Sequence, residues 1–478
     1  MLQKFPWVGL LDITGDGLPD RVMPNAADST KTTWLLYRNN GSGFDTVSNI
    51  ISGIDIQNAV NVNNENWYGL QGNGDTRMNY VNGQTITAMI DINGDGLLDR
   101  VMADYPFANN PFNPSLVTNI LWVQTNSGPY PDLMRAASNG IGGVLTVAYK
   151  PSTAWDNRLD PSNTNSGKSL PFPMQTVATV TENDGVNTNR TTTYLYEGGF
   201  YDGGRREFAG FAKVTETDAS NRRQVYFYHQ GGGQDRASSG EYQDAGNFAK
   251  RGMPYRIETY GNDTNLYQVF VSQVNQTNVG AGRWFPFVQQ TFNYDYPGGG
   301  TPRITATRFA YNFATGNLTN QIVYGEVTNV NLTSLSAPAD VDAADTEYHH
   351  ATFAAIAGNT NILDHPDTTK LTSDATGTNI VRERKFSYNA NSGTVETELN
   401  RICPGQYATN RFDEYDDFGL PTRTTDPVGV QTKISAFDSL HIYPNATRLR
   451  VTAGSDSGND HITYTTNDVR SGLLTSVT

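Results

Sequence analysis

The chain writes nearly the same twelve residues twice, DITGDGLPDRVM at 12–23 and DINGDGLLDRVM at 91–102. Oxygen-bearing side chains at every second position, interrupted by glycines, make a loop that curls about a hard cation, and calcium takes about six to eight such oxygens. The expected ligands of the first copy are Asp12, Thr14, Asp16, the Leu18 carbonyl and Asp20; those of the second are Asp91, Asn93, Asp95, the Leu97 carbonyl and Asp99. An EF-hand loop starts in this way but ends on a bidentate glutamate and sits between helices. Here the twelfth position is Met23 or Met102, which also excludes a dockerin-type repeat, and the lead-ins WVGLL and ITAMI are short, apolar and β-prone. The local expectation is strand, calcium turn, short strand.

The repeat extends beyond the loops, because WLLYRNNGSGF (34–44) follows the first and ILWVQTNSGPY (120–130) follows the second. This unit resembles the FG-GAP blade of integrin-like and toxin β-propellers, in which a calcium loop lies between blade strands. The copies begin 79 residues apart, more than the roughly 40–50 of an ordinary blade. Either one blade carries an insertion or a degenerate blade intervenes. LQGNGDTRMNYV (70–81) has the glycines but lacks the aspartate ladder.

Composition agrees with an all-β chain. Its 478 residues include 46 glycines and 25 tyrosines, with no long helix-periodic stretch, and they suffice for two to four domains. A net charge of −14 and a pI near 4.9 argue against a nucleic-acid partner. The single cysteine, Cys403, excludes an internal disulfide and lies without a neighbouring histidine, so it reads as a small buried residue. No run of about 18 apolar residues is present to span a membrane, and the amino terminus lacks the basic and apolar regions of a signal peptide. Because the first loop begins at residue 12, the sequence is expected to start inside a blade of a larger protein, and to stop before any closing repeat, leaving open strand edges at both ends.

Three stretches, PDLMRAASNGIGGVLTVAYKPST (131–153), SLPFPMQTVATVTENDG (169–185) and YLYEGGFYDGGRREFAGFAKVTETD (194–218), resemble successive signatures of the middle region of the insecticidal toxin-complex (Tc) B subunit, a TcdB/SpvB-like family. The last of them reads as a β-hairpin with Tyr194 and Tyr196 on its first strand. Family members tend to carry arginine and glycine where this chain has Ala209 and Ala212, so the resemblance carries over the fold there and not those contacts. QQTFNYDYPGGGTPRITATRFAYNFATGNLTNQIVYG (289–325) resembles the second half of the same region. FDEYDDFGLPTRTTDPVGVQT (412–432) matches the RHS/YD repeat, with weaker units at 309–321 and 385–397. In the family such repeats wind a sheet into a shell around an unfolded toxin.

The expected organisation is FG-GAP-like blades over 1–130, the two halves of the B-subunit middle region over 131–240 and 241–335, and RHS/YD shell strands over 336–478. The resemblance implies a non-catalytic, secreted structural component that assembles with a pore-forming A component and a toxin-bearing C component. A different class stays open: a calcium-stabilised cell-surface adhesion or carbohydrate-binding module on a YD-repeat stalk. Catalytic motifs are not found in the sequence. His349 and His350 are adjacent and, on a strand, face opposite ways. DPVG (426–429) resembles an aspartate-rich self-cleavage site but falls at the usual repeat position, so a turn is expected.

Overall fold

The computed structural model describes residues 9–29, 33–52, 72–73, 85–103, 121–128, 130, 132–158, 170–186, 188–231, 248–328, 330, 332, 336–450, 458–468 and 471–478. Among them the only helical pieces are two three-residue 3-10 turns, Ser152–Ala154 and Pro297–Gly299. All else regular is β, as the glycine, threonine and tyrosine content predicts. The chain forms two compact units, one of 1–226 with 261–264, the other of 227–260 with 265–478.

The first unit opens with two four-stranded antiparallel sheets. One holds β1 (Gly9–Leu11), β2 (Asp20–Pro24), β3 (Thr33–Tyr37) and β4 (Asn49–Ser52); the other holds β5 (Gly72–Asn73), β6 (Thr85–Ile90), β7 (Asp99–Ala103) and β8 (Leu121–Gln124). Each runs up and down in chain order, the form of a propeller blade. The acidic loops join β1 to β2 and β6 to β7. The 79-residue spacing is therefore explained in part by Gly72–Asn73, which adds a strand ahead of the second loop by pairing with β6. The rest of 70–81 lies outside the described residues.

Alternation builds the core of these sheets. On β3, Trp34 and Leu36 turn inward while Thr33, Leu35 and Tyr37 stay half-buried. Trp34, Leu36, Val22, Ile13 and Met89 form one cluster drawn from both sheets. Each such aliphatic side chain contributes about 1.5–3 kcal/mol by leaving water. The RVM triplet after each loop follows the same logic. Val22 and Val101 point into the core, whereas Arg21 lies 4.1 Å above the Tyr37 ring, and Arg100 lies 5.8 Å from the Trp34 ring and donates to Gln124 at 3.0 Å.

Beyond the blades the first unit carries β9 (Ala136–Ser138), β10 (Val144–Pro151), β11 (Gln175–Asn183), β12 (Asn189–Asp202) and β13 (Glu207–Thr217), each antiparallel to the last. The hairpin expected over 194–218 is β12 with β13, and Tyr194 and Tyr196 pair with Glu216 and Val214. Ala209 and Ala212 are both buried on it, so the small side chains sit where bulk has no room.

In the second unit, antiparallel strands succeed one another from Pro254–Tyr260 to Leu474–Val477. The last strand pairs with His461–Asn467. Its apolar cluster is Val269, Val271, Phe292, Ala306 and Val327, topped by Val330 and Leu332. Gln273 and Gln290 are buried beside it, hydrogen-bonded to each other and to the carbonyls of Leu332 and Ser336. Burial of an amide is tolerable only with partners of this kind.

Candidate functional site: the paired acidic loops

Asp12 stands at the end of β1 and folds its carboxylate back over the loop, accepting the N–H groups of Gly15, Asp16 and Gly17 at 2.7, 3.0 and 2.8 Å. Asp91 repeats this with Gly94, Asp95 and Gly96 at 2.7, 3.0 and 2.8 Å. Asp16 and Asp95 each accept the N–H of the leucine two residues on, Leu18 and Leu97, at 2.8 Å. Sequence identity has become geometric identity.

The last aspartate of each loop has a separate task. Asp20 is fully buried and accepts from Thr14, through backbone and hydroxyl, and from the Asn39 N–H at 3.0 Å. Asp99 is equally buried and accepts from the Ile92 and Asn93 N–H groups and from the Asn126 N–H at 2.8 Å. Both fasten their loop to the Asn/Gly turn after the aromatic strand. The recurring NNGSGF and TNSGPY turns thus exist to receive the aspartate, a link that spacing alone did not disclose.

The two loops also meet. The Asn126 side-chain amide donates to the Ile13 carbonyl at 2.9 Å. A Cβ on Gly15 would stand 2.7 Å from the Leu97 side chain, and Tyr130 packs against both Gly15 and Gly96. Burial raises the Tyr130 phenol pKa above its ordinary value, and the nearby carboxylates of Asp95, Asp91 and Asp12 push it the same way while a Gln175 hydrogen bond opposes them. The second loop is further held by Thr153, whose hydroxyl donates to the Gly94 carbonyl at 2.5 Å, and by Gln175, which donates to the Asp95 carbonyl at 2.8 Å. Leu97 is accordingly buried, while Leu18 is exposed.

An ionised carboxylate has about four acceptor positions. Asp12 and Asp91 use three on N–H groups, and Asp16 and Asp95 keep an oxygen that bonds no backbone. Asn93 donates to that oxygen of Asp95 at 2.9 Å. Asp20 and Asp99 likewise accept three hydrogen bonds each and are fully buried, so the most open acceptor capacity lies at Asp16 and Asp95. No cluster of three or more histidine, cysteine or acidic side chains set to hold a metal occurs among the described residues.

The adjacent histidines and the cysteine are held by neighbouring side chains. His350 is bonded at both ring nitrogens, to Asn320 at 2.7 Å and Thr372 at 3.1 Å, and lines a hollow of about 310 Å³ with Arg308 and Tyr348. His349 pairs instead with Glu347 at 3.2 Å. Cys403 is half-buried at a hairpin tip, more exposed than its type suggested, with its thiol 3.2 Å from the Gln406 side chain. Asp426 of DPVG accepts the N–H groups of Val428 and Val430, at 3.0 and 2.8 Å, and caps a turn.

The fold defines a class: an all-β scaffold of blade-like sheets and long antiparallel hairpins. Residues 71–230 match the family model described as the insecticide toxin TcdB middle/N-terminal region. That segment is similar to the family's middle/N-terminal region, and the resemblance to the Tc B subunit read from the sequence stands. No curated protein matches the chain. Among solved structures, the fold is similar to that of a TcdB2-TccC3 crystal structure, with a TM-score of 0.60 at 16% identity over 98% of this chain and 28% of that one. A TcdB2-TccC3-Cdc42 structure gives 0.59 at 15% identity, covering 98% and 27%, and the Photorhabdus luminescens Tc holotoxin pore gives 0.53 at 15%, covering 98% and 31%. The chain thus spans less than a third of each of these structures.

Proposed function

We propose that the chain is a structural, non-catalytic part of a secreted Tc-type toxin, contributing blades and shell strands to a B subunit that assembles with a toxin-bearing C component and a pore-forming A component. The observation that carries this reading is the coincidence of the family match over 71–230 with a Tc-type fold over nearly the whole chain. The bonded His350, the His349–Glu347 pair and the capped DPVG turn support a role without chemistry of its own. Size-exclusion chromatography of the chain with the C component of a Tc-type toxin tests the proposal. Co-elution is expected; separate elution, or hydrolytic activity of the purified chain, would count against it.

The paired loops are proposed to take calcium, with Asp12, Asp16, Asp91 and Asp95 as the charged ligands, Thr14, Asn93 and the Leu18 and Leu97 carbonyls beside them, and Asp20 and Asp99 serving as latches. The bound ion would neutralise carboxylates that otherwise repel one another. The supporting observation is the carboxylate oxygen that Asp16 and Asp95 each keep off the backbone, beside Asp12 and Asp91 in the same loops.

A further inference from the structure

Three strands of the second unit, Arg303–Asn312, Asn317–Thr328 and Glu347–Phe353, bring together residues that the sequence keeps far apart. Arg308 is opposite Ile322, which is opposite Tyr348; Ala310 is opposite Asn320, which is opposite His350. Side chains two apart on a strand share a face, so these six project to one side of the sheet. They line the hollow of about 310 Å³. Its roof is the turn over 373–379, which places Ala375 and Thr376 on the lining. Asp374 fixes that turn by accepting the N–H groups of Thr378 and Asn379 at 3.1 and 2.7 Å. The turn packs onto the His350 ring, since a Cβ on Gly377 would lie 3.5 Å from its Nε2. Walls and roof are thus held before anything binds, which spares a ligand the cost of ordering them.

The polar groups of this lining are all of one kind. Arg308 is half-buried, and its guanidinium forms no ion pair and no hydrogen bond among the described residues. Cations close by are matched: Arg303 on the same strand meets Glu326 at 3.6 Å, and Lys370, opposite His350, meets Glu383 at 3.6 Å. The Tyr324 phenol lies in the field of Arg308, but burial raises its pKa above the ordinary value, so it stays neutral and supplies no counter-charge. The Tyr348 hydroxyl also has no hydrogen-bond partner among the described residues, and no carboxylate lines the hollow there. His350 is bonded at both ring nitrogens and serves as a wall.

We propose that the hollow binds a small monocarboxylate with a compact apolar body, its carboxylate on the Arg308 guanidinium and the Tyr348 hydroxyl and its body against Ile322 and the His350 ring. One guanidinium balances one negative charge, and its planar fork matches the two oxygens of a carboxylate. Ala310, Ile322 and Ala375 offer no second cation, which disfavours a phosphate dianion. Ligand pockets span about 300–1,000 Å³, and this one lies at the lower end, so the body is limited to about one ring. The inference stands apart from the proposed assembly, since it rests on one sheet and one turn of the second unit.

The test is a ligand-observed NMR titration of the full chain with benzoate, its neutral counterpart benzamide, and inorganic phosphate. Saturable benzoate binding is expected with a dissociation constant on the order of 1 mM, as suits so small a ligand. Benzamide and phosphate should bind at least about tenfold more weakly, and Arg308→Gln should weaken benzoate by about tenfold or more. Arg303→Gln, which removes a cation already matched by Glu326, should change it less than about twofold. Absence of saturable benzoate binding, phosphate binding as tight as benzoate, or equal losses in the Arg303 and Arg308 variants overturns the proposal. If Arg308→Gln melts early, Tyr348→Phe decides, because it keeps the ring and removes only the hydroxyl: a loss of about threefold to fivefold supports the site, and unchanged affinity overturns it.

Discussion

The hydroxyl of Tyr415 donates to the carbonyl of Val395, 2.6 Å away on the preceding strand. Tyr388 does the same to Pro366 at 2.7 Å, Tyr311 to Val288 at 3.1 Å and Tyr196 to Val177 at 2.9 Å. The tyrosine of the YD unit is therefore a strut that closes the hairpin behind it. Burial raises the phenol pKa of Tyr311, Tyr388 and Tyr415, as expected for a ring laid on a sheet with only its oxygen bonded. The aspartate that follows caps the next turn. Asp416 accepts from Phe418 and Leu420 at 3.0 and 2.8 Å, as Asp218 accepts from Ser220 and Arg222, both at 2.8 Å.

Replacing Tyr415 or Tyr388 by phenylalanine leaves the ring and removes the strut. Each change is expected to cost about 1 kcal/mol, since it strands a carbonyl that has lost its donor. Urea unfolding should show a lower midpoint with an unchanged slope. An unaltered midpoint in both variants would mean that water replaces the hydroxyl at no cost.

How much of this was legible in the sequence depends on the range of the interaction. The twin loops, the 194–218 hairpin and the YD turns could be read because their signals are local: alternation, glycine, and aspartate a few residues from the N–H groups it caps. The Asp218 turn was missed, although Asn221 occupies the left-handed position that Gly419 and Gly429 fill elsewhere. Its signal, Asp followed three residues on by Asn or Gly, was available. The Asn126–Ile13 bond was not available, because it joins residues 113 apart.

His441 holds that same left-handed position, at φ 59°, with neither glycine's freedom nor asparagine's. It stays there because its Nε2 meets Asp416 at 2.7 Å and its ring stacks on Phe437 at 4.1 Å. The His441 contact is the foremost reason that the Asp416 carboxyl lies below its ordinary value. A depressed carboxyl contributes stability above its unfolded value, near 3.8, and loses it as pH falls through the folded value. Thermal scans between pH 5 and pH 2 should therefore drop less steeply in His441→Ala than in the parent chain. Parallel curves would remove this pair from the acid response.

The glycines of the two loops are expected to differ despite their shared sequence. Gly17 has φ +84° and open space around a Cβ, so Gly17→Ala should cost about 1–2 kcal/mol of backbone strain. Gly96 has φ +88° and would drive its Cβ into the Tyr130 hydroxyl, so Gly96→Ala should cost clearly more. Adding Tyr130→Ala should recover part of the excess, because residues in contact are not additive. Equal losses at Gly17 and Gly96 would show that Tyr130 yields freely.

Calcium should raise the melting temperature, and the amount can be bounded. Extracellular calcium modules bind at about 0.1–1 mM, so about 10 mM calcium would stabilise each loop by about 1.4–2.7 kcal/mol. Magnesium prefers a smaller octahedral shell and should do less. Asp16 and Asp95 are the residues to change, because each keeps one carboxylate oxygen off the backbone, whereas removing Asp20 or Asp99 would break a buried latch and confuse binding with folding. In the double variant Asp16→Ala, Asp95→Ala the calcium-dependent rise should vanish while the calcium-free melting temperature falls only slightly. The single variants should each keep about half of the rise, and any coupling through Tyr130 and Asn126 would show as a departure from that half. A calcium response that survives intact in the double variant would exclude the loops as its source.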